Sequence, residues 1–215
     1  MKNTLLIISF VLTTSGLIAQ VLDKDGNNYK TVQIGSQVWM SENLNVSHFR
    51  NGDIIPEAKD TAAWVMASNI GKPAWCYYNN DTAKGRIYGK LYNWYALNDP
   101  RGLAPDGWHI PSTLEYDSLI SYLGGINVAG GKMKANWGWD KNGNGNDESG
   151  FAGLPGGYRS NFGPFNFIGL YAYWWSSSEN STGNAWFYFV NSNDSNINKF
   201  RYDEGSGLSI RCVRN

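Results

Sequence analysis

The residues best suited to bind a metal ion lie in an Asn- and Gly-rich segment at residues 140–148. Oxygen-bearing side chains recur there on alternate residues, and a glycine stands at the sixth position, as a calcium loop requires for its sharp turn. A full EF-hand is excluded because its twelfth position, which needs a bidentate Glu, is Phe151 here. The side chains that could hold calcium are Asp140, Asn142, Asn144, Asp147 and Glu148.

The same segment has a second interpretation as a solvated turn. Asn and Gly tolerate left-handed backbone conformations and therefore favour surface turns. We favour the solvated turn and predict no cofactor, with calcium binding at this loop as the alternative.

Aromatic and amide side chains at this loop could bind a sugar. Pyranose rings present apolar C–H faces that stack on Trp, and their hydroxyls match amides that both donate and accept hydrogen bonds. Trp137 and Trp139 precede the loop at alternate positions, and Asn144 and Asn146 lie within it. The sequence predicts these four residues as ligand contacts. It leaves open whether the two indole rings lie at the surface or in the core.

Residues for acid–base or nucleophilic catalysis are scarce. His48 and His109 are the only histidines, and neither a Gly-x-Ser-x-Gly elbow nor a His/Cys cluster with zinc spacing occurs. Residues 176–179, Ser-Ser-Ser-Glu, have no specified base, and consecutive strand residues point to opposite faces. We therefore predict no catalytic residue, and we interpret His109 as a structural residue that holds a turn before a helix.

Cys76 and Cys212 are the only two cysteines, and they lie far apart in the sequence. Disulfides persist in the compartments that exported proteins reach. We therefore predict that the two cysteines pair, which would stabilise the fold by about 4–5 kcal/mol in the chain-entropy description. The alternative is a pair of buried free thiols.

The first 19 residues have the features of a secretory signal. Lys2 precedes a short apolar run at residues 5–12, and small and polar residues follow up to Ala19. The run is too short to span a hydrocarbon core of roughly 30 Å. We predict a signal peptide at residues 1–19, a single domain at residues 20–215, export to the periplasm, outer surface or exterior, and a mature chain without a transmembrane segment. A buried N-terminal strand is the alternative.

The composition indicates one domain and argues against a nucleic-acid partner. The 215 residues include 18 Lys and Arg against 18 Asp and Glu, so no excess positive field is available to neutralise phosphates. The 10 Trp, 13 Tyr, 9 Phe and 25 Gly favour short strands joined by many turns over long helices. The length is sufficient for one domain with a substantial core.

These candidate sites must be positioned by a mixture of strands and helices. Alternating apolar and polar residues predict an opening hairpin from residues 29–34 and 37–40. Residues 112–115, Ser-Thr-Leu-Glu, form a capping box, and the apolar stripe behind it predicts a helix that ends at Gly124 and Gly125.

Two further helices and four strands complete the predicted α+β fold. Helices are predicted at residues 60–67 and 91–97. Between residues 130 and 170 no periodicity persists, and an irregular segment of this length often carries a binding site. Antiparallel strands are predicted from aromatic and β-branched runs at residues 173–178, 185–190, 197–202 and 208–213.

Several separate phrases of the sequence, in one order, resemble the Fibrobacter succinogenes major paralogous domain. They lie at residues 25–27, 32–35, 37–44, 89–96, 104–112, 149–159, 173–178 and 209–213. The resemblance spans nearly the whole mature chain. That family occurs on exported proteins of Fibrobacter and Bacteroidetes-like bacteria and has no established activity, so the resemblance implies a compartment and a scaffold and no reaction.

Residues 107–112, Gly-Trp-His-Ile-Pro-Ser, together with Tyr116 are similar to the formylglycine-generating, sulfatase-modifying group and, through it, to C-type-lectin-like folds. That similarity implies a small antiparallel sheet with short flanking helices and a long loop region. In those enzymes, oxidation of a substrate cysteine depends on a cysteine-based copper site. Here the only cysteines are predicted to be bonded to each other, so that activity is not expected.

Together these features favour an exported, non-catalytic recognition or adhesion module that binds a glycan or another cell-surface molecule. One alternative, an enzyme of unrecognised type on a sulfatase-modifying-factor-like scaffold, would bring His48 or His109 to a carboxylate in a cleft. Another alternative, a self-assembling structural surface protein, would show a large exposed apolar patch or an unprotected edge strand. The oligomeric state is not predicted.

Overall fold

The computed structural model describes residues 21–215, so the predicted signal peptide at residues 1–19 lies outside the described residues. Most of the strands are only two to four residues long, and the longest three lie near the C-terminus. The strands are β1 (Val21–Leu22), β2 (Asn28–Tyr29), β3 (Thr31–Ile34), β4 (Gln37–Met40), β5 (Trp75–Cys76), β6 (Leu91–Tyr92), β7 (Trp108–His109), β8 (Tyr158–Arg159), β9 (Phe165–Asn166), β10 (Tyr171–Ser181), β11 (Asn184–Asn191), β12 (Ile197–Asp203) and β13 (Val213–Arg214).

The helices are equally short. They are α1 (Thr61–Asn69), α2 (Thr82–Tyr88), α3 (Trp94–Leu97), α4 (Thr113–Tyr122) and α5 (Ala129–Met133), with one 3-10 turn at Tyr78–Asn80. Within residues 21–215, no helix combines the length and the apolar character needed to cross a membrane. The protein is an α+β fold with small antiparallel sheets and few helices, as the sequence predicts at this level.

Two sheets organise the chain. The first has the antiparallel order β3-β4-β13-β7, so the C-terminal strand lies between the opening hairpin and β7. In the register of this sheet, Trp39 lies opposite both Val32 and Val213. The predicted opening hairpin is confirmed, and its turn contains Gly35 at a positive φ of 62°. The second sheet has the order β10-β11-β12.

Local side-chain bonds explain where the two longest helices begin. The Ser112 backbone N–H donates to the Glu115 carboxylate at 2.8 Å, and the Glu115 N–H donates to the Ser112 hydroxyl at 3.3 Å. This reciprocal pair is the predicted capping box of α4. The Asp60 carboxylate accepts from the Ala63 N–H at 2.8 Å and caps α1, which is also confirmed.

Two predicted elements differ from the structure. The helix predicted at residues 91–97 is instead β6 followed by the single turn α3, because the Asn93 side chain accepts from the Ala74 and Ala96 N–H groups and caps a new start. The strand predicted at residues 208–213 is reduced to β13, since the preceding residues form only single bridges with other parts of the chain.

Within residues 21–215, the buried side chains form three hydrophobic clusters. Successive residues of β10 point to opposite faces, so Trp174 joins the cluster under α4 and α5, whereas Trp175 joins the largest cluster. Trp64 lies at the centre of the third and smallest cluster. The sheet of β10, β11 and β12 therefore has apolar residues on both faces.

The predicted disulfide between Cys76 and Cys212 is wrong, because both cysteines are free thiols. Cys76 is buried in the cluster around Trp64, whereas Cys212 is buried in the largest cluster. Burial raises the pKa of Cys76 to about 11 and that of Cys212 to about 12, so both are thiols at neutral pH. Instead of linking two parts of the chain covalently, Cys76 and Cys212 each pack in a separate hydrophobic cluster.

Buried cations, rather than a disulfide, hold the irregular segments against the rest of the protein. Arg159 is fully buried, and its guanidinium lies between the rings of Trp64 and Phe165 at 4.8 and 4.6 Å from their centroids. It donates at 2.9–3.0 Å to the backbone carbonyls of Ala58, Asp60 and Gly163. Loop carbonyls that no sheet or helix can pair are thus satisfied by a side chain.

Candidate functional site

The loop at residues 140–148 packs closely against the rest of the molecule. A methyl group added at Gly145 would lie 2.3 Å from the Lys134 carbonyl oxygen, and one at Gly143 would lie 2.5 Å from the Cα of Ser192. Only glycine permits such an approach. The Lys134 side chain is also buried. Its ammonium donates to the backbone carbonyls of Asn191 and Asp194 at 3.0 and 2.8 Å.

The two tryptophans of the predicted ligand site have different environments. Trp139 is 6% exposed and packs in the cluster around Trp174, where its indole N–H donates to the Gly153 carbonyl at 3.0 Å. It is a core residue and cannot stack on a ligand. Trp137 is 54% exposed, and its ring lines a cleft of about 530 Å³.

The two predicted amide contacts serve the loop itself. Asn144 accepts through its side-chain oxygen from the Trp139 N–H at 3.1 Å. Asn146 accepts in the same way from the Glu148 N–H at 3.2 Å. Neither residue lines the cleft beside Trp137. Of the four predicted ligand contacts, only Trp137 lines this cleft.

The predicted calcium ligands make separate contacts. Asp140 packs against the backbone of Gly169, Asp147 accepts from the Ala152 N–H at 2.8 Å, and Glu148 pairs with Lys132 at 3.0 Å. Asn142 lies in the left-handed region, with φ 57°. Within residues 21–215, no three His, Cys, Asp or Glu side chains come together as a metal site would require. Calcium binding at this loop stays a prediction.

The histidines each meet a carboxylate. His109 lies 2.6 Å from Glu115 through Nε2 and 2.7 Å from Asn215 through Nδ1, so both ring nitrogens are engaged. Burial raises the pKa of Glu115, but the hydrogen bonds from Ser112 and His109 outweigh it, and the pKa lies below 4.5. This arrangement supports the structural role expected of His109.

His48 forms the other pair, with 2.5 Å between its Nδ1 and the Asp25 carboxylate. Burial raises the pKa of Asp25, but the bonds from His48 and from the Ser47 N–H lower it below its ordinary value. The adjoining cavity measures about 100 Å³, and the residues between 21 and 215 that line it include no Ser, Thr or Cys. Small-molecule sites usually measure about 300–1,000 Å³. The cavity beside His48 is therefore smaller than a usual ligand site and offers no nucleophile, so it is a weak candidate for an active site.

A second candidate binding surface is an aromatic groove on one face of the second sheet. Directly paired residues of antiparallel strands share a face, and Tyr173 lies opposite Phe189 while Phe187 lies opposite Phe200. The hairpin of β8 and β9 and the residues after it form one wall. The aromatic groove is lined by Tyr158, Phe167, Tyr171, Tyr173, Phe187, Phe189, Phe200, Tyr202 and Leu208.

The rings of the aromatic groove form an ordered array. Tyr171 and Tyr173 are stacked, with centroids 5.6 Å apart and 10° between their planes. Tyr173 lies 5.8 Å from Phe189. Phe187 is buried in the floor, whereas Phe200 at the rim is 61% exposed. The aromatic groove offers several ring faces and edges in a cavity of about 390 Å³.

Tyrosine hydroxyls provide the polar groups of the aromatic groove. The Tyr158 and Tyr202 hydroxyls lie 3.3 Å apart. Burial is the main reason that the pKa values of Tyr158 and Tyr173 lie above 10, so both phenols keep their protons at neutral pH. A neutral phenol both donates and accepts. Among the residues that the structure describes, no charged side chain lines the aromatic groove.

Sequence reasoning missed the aromatic groove, although a signal was present. In residues 171–175, Tyr-Ala-Tyr-Trp-Trp, and in residues 186–189, Trp-Phe-Tyr-Phe, aromatics occupy both odd and even positions. An antiparallel sheet with one solvated face would alternate with polar residues instead. Aromatics at both parities therefore indicate a sheet whose second face is buried or binds something.

The comparisons with known proteins identify a family. No curated protein and no solved structure matches the chain. The model of the Fibrobacter succinogenes major domain matches residues 32–214, which include both sheets except Thr31 and every residue of the aromatic groove. The chain belongs to the Fibrobacter succinogenes major domain family.

Proposed function

We propose that this protein is an exported recognition or adhesion module that binds a neutral glycan in the aromatic groove. The single observation that carries the proposal is the uncharged array of rings and phenol hydroxyls along β10, β11 and β12. Pyranose rings carry apolar C–H faces and hydroxyls on the same molecule. The aromatic groove offers matching groups in a volume usual for ligand sites.

The proposed architecture is C-type-lectin-like. Its support is the small sheets, the two longest helices α1 and α4, and the long region between α5 and β10 that holds only two-residue strands. On this scaffold the irregular region supplies one wall of the aromatic groove through Tyr158 and Phe167.

A self-assembling surface protein is the second candidate, because the aromatic groove is also an exposed apolar surface. Charged side chains on the edge strand β12 disfavour strand pairing between two copies of the protein. Lys199 and Arg201 are both exposed on it, and charged residues on an edge strand discourage strand addition. We therefore place glycan binding first.

The experiment is affinity measurement against a panel of neutral plant, host and bacterial polysaccharides. Phe200→Ala and Phe167→Ala remove exposed rings of the aromatic groove, which are 61% and 47% exposed. Each should weaken binding about 2- to 12-fold, since one ring contact contributes about 0.5–1.5 kcal/mol. The matched control is Phe162→Ala, whose ring is 76% exposed and lies outside the aromatic groove.

Equal affinity of wild type and both groove variants would show that the aromatic groove is not the binding site. A failure of every polysaccharide to bind would overturn the proposal as well. Sedimentation over a concentration series separates the second candidate. If wild type self-associates and Phe200→Ala is monomeric, the aromatic groove is an interface between copies, and the glycan proposal is overturned.

A further inference from the structure

The cleft beside Trp137 is a second concave surface, built from other parts of the chain. It measures about 530 Å³ and lies between the opening hairpin, the C-terminal end of α2 and the irregular region. None of its lining residues belongs to the aromatic groove. A ligand in this cleft would therefore bind independently of one in the aromatic groove.

The charge of the cleft distinguishes it from the aromatic groove. In the described part of the chain, its lining contains the cations Lys30, Arg86 and Arg211 and a single carboxylate, that of Glu42. Arg211 is buried and donates to acceptors within the protein, so it cannot turn toward a ligand. Lys30 and Arg86 are exposed, and the ion pairs of the described chain include neither of them. Two cations are thus free to meet an anion.

Apolar and hydroxyl-binding groups share the cleft with these cations. The Trp137 ring and the Ile87 side chain, 54% and 49% exposed, provide an apolar surface. Asn28 and Ser41 also line the cleft, and their side chains can exchange hydrogen bonds with hydroxyls. An isolated carboxylate would use only the cations, and a neutral sugar would leave them unpaired.

We propose that the Trp137 cleft binds an acidic sugar, such as a uronic acid residue of a polysaccharide. The carboxylate pairs with the Arg86 guanidinium, whose planar fork fits two carboxylate oxygens, and Lys30 adds a second positive charge. The apolar face of the sugar stacks on Trp137. The hydroxyls of the sugar bind Asn28 and Ser41.

The test uses oligogalacturonate as the probe and calorimetric titration as the assay. The matched neutral probe is oligogalactose, and polyglutamate serves as an acidic peptide. Wild type should bind oligogalacturonate at least 10-fold more tightly than oligogalactose, and the affinity should fall as salt rises. Arg86→Gln should weaken binding at least 10-fold, Arg86→Lys should restore part of it, and Trp137→Ala should weaken it about 3- to 10-fold.

Two controls separate this proposal from glycan binding in the aromatic groove. Arg201→Gln removes an exposed arginine outside the cleft, and Phe200→Ala alters only the aromatic groove; both should bind oligogalacturonate as wild type does. Equal affinity for the acidic and neutral probes, or an unchanged affinity in Arg86→Gln, overturns the proposal. Binding of polyglutamate as tight as that of oligogalacturonate, with the same loss in Arg86→Gln, identifies an acidic peptide as the ligand and overturns it as well.

Discussion

Replacing Arg211 with lysine should strongly destabilise the protein, although the substitution keeps the charge. Arg211 is 1% exposed and lies over the Phe151 ring, with its guanidinium carbon 4.4 Å from the ring centroid. Burial lowers the pKa of Arg211 to about 10, but this value is still well above neutral pH, and the guanidinium stays charged. Its guanidinium donates to Asn43 Oδ1 at 2.8 Å and to the backbone carbonyls of Met40, Phe151 and Ala152 at 2.9, 2.5 and 3.3 Å.

The expected magnitude follows from the spread of these acceptors. They are reached from Nε, Nη1 and Nη2, whereas a lysine ammonium has its three donors on a single atom at the end of the side chain. Arg211→Lys should therefore lose at least two bonds. Hydrogen bonds to charged groups contribute about 1.5–3 kcal/mol each, so the loss should be about 3–6 kcal/mol. That is a large part of a typical total of about 5–15 kcal/mol.

Equilibrium unfolding in urea measures this loss. With a slope of about 2 kcal/mol/M, the midpoint should fall by roughly 1.5–3 M. The backbone amides of residues 151–153 should also exchange hydrogen faster, because the guanidinium holds the carbonyls of that segment. The matched control is Arg214→Lys, an exposed arginine of β13, which should stay within about 0.5 kcal/mol of wild type. A loss below about 1 kcal/mol in Arg211→Lys would refute the idea that buried cations hold the irregular region.

Three further predictions concern the cap, the tryptophans and the thiols. The pKa of Glu115 is lowered from 4.5 in the folded state, so the stability it adds is fully present above about pH 4.5 and is lost as the pH falls through the lowered value. The difference in unfolding free energy between wild type and Glu115→Gln should therefore shrink on acidification, and a difference that is constant between pH 7 and pH 3 would contradict this. Trp139→Ala should cost about 3–5 kcal/mol in urea unfolding, whereas Trp137→Ala should cost at most about 0.5 kcal/mol, because only the first ring is buried; similar losses would contradict the assignment. Cys76 and Cys212 should resist alkylation in the native protein and both react in non-reducing denaturant; an intact mass showing unreactive cysteines after unfolding would indicate a disulfide.

Local patterns predicted the elements whose hydrogen bonds are made within a few residues. The capping box at Ser112 and Glu115 and the opening hairpin around Gly35 are confirmed, since their partners are neighbours in the sequence. The helix predicted at residues 91–97 was wrong because the Asn93 side chain also accepts from Ala74, nineteen residues away. A contact of that kind leaves no periodic signal.

The candidate sites show the same division. The sequence identified Trp137 and Trp139 as candidates, but only the structure shows that Trp139 packs in the cluster around Trp174 while Trp137 is exposed in the cleft. The aromatic groove was missed because the aromatic runs of β10, β11 and β12 predict strands but do not show which face of the sheet stays exposed. Which face of a sheet is covered depends on what the rest of the chain places against it.

By itself, the sequence determined the family, the α+β class and the capped helix α4, and its 25 glycines already indicated many turns. Only the tertiary structure decided that the two cysteines stay apart, that buried Arg159 and Arg211 hold the loops, and that one aromatic face stays open. The physical reason is the separation along the sequence over which each interaction acts. Propensity and capping act over a few residues, whereas burial and the pairing of loop carbonyls depend on residues brought together from as many as 171 positions apart.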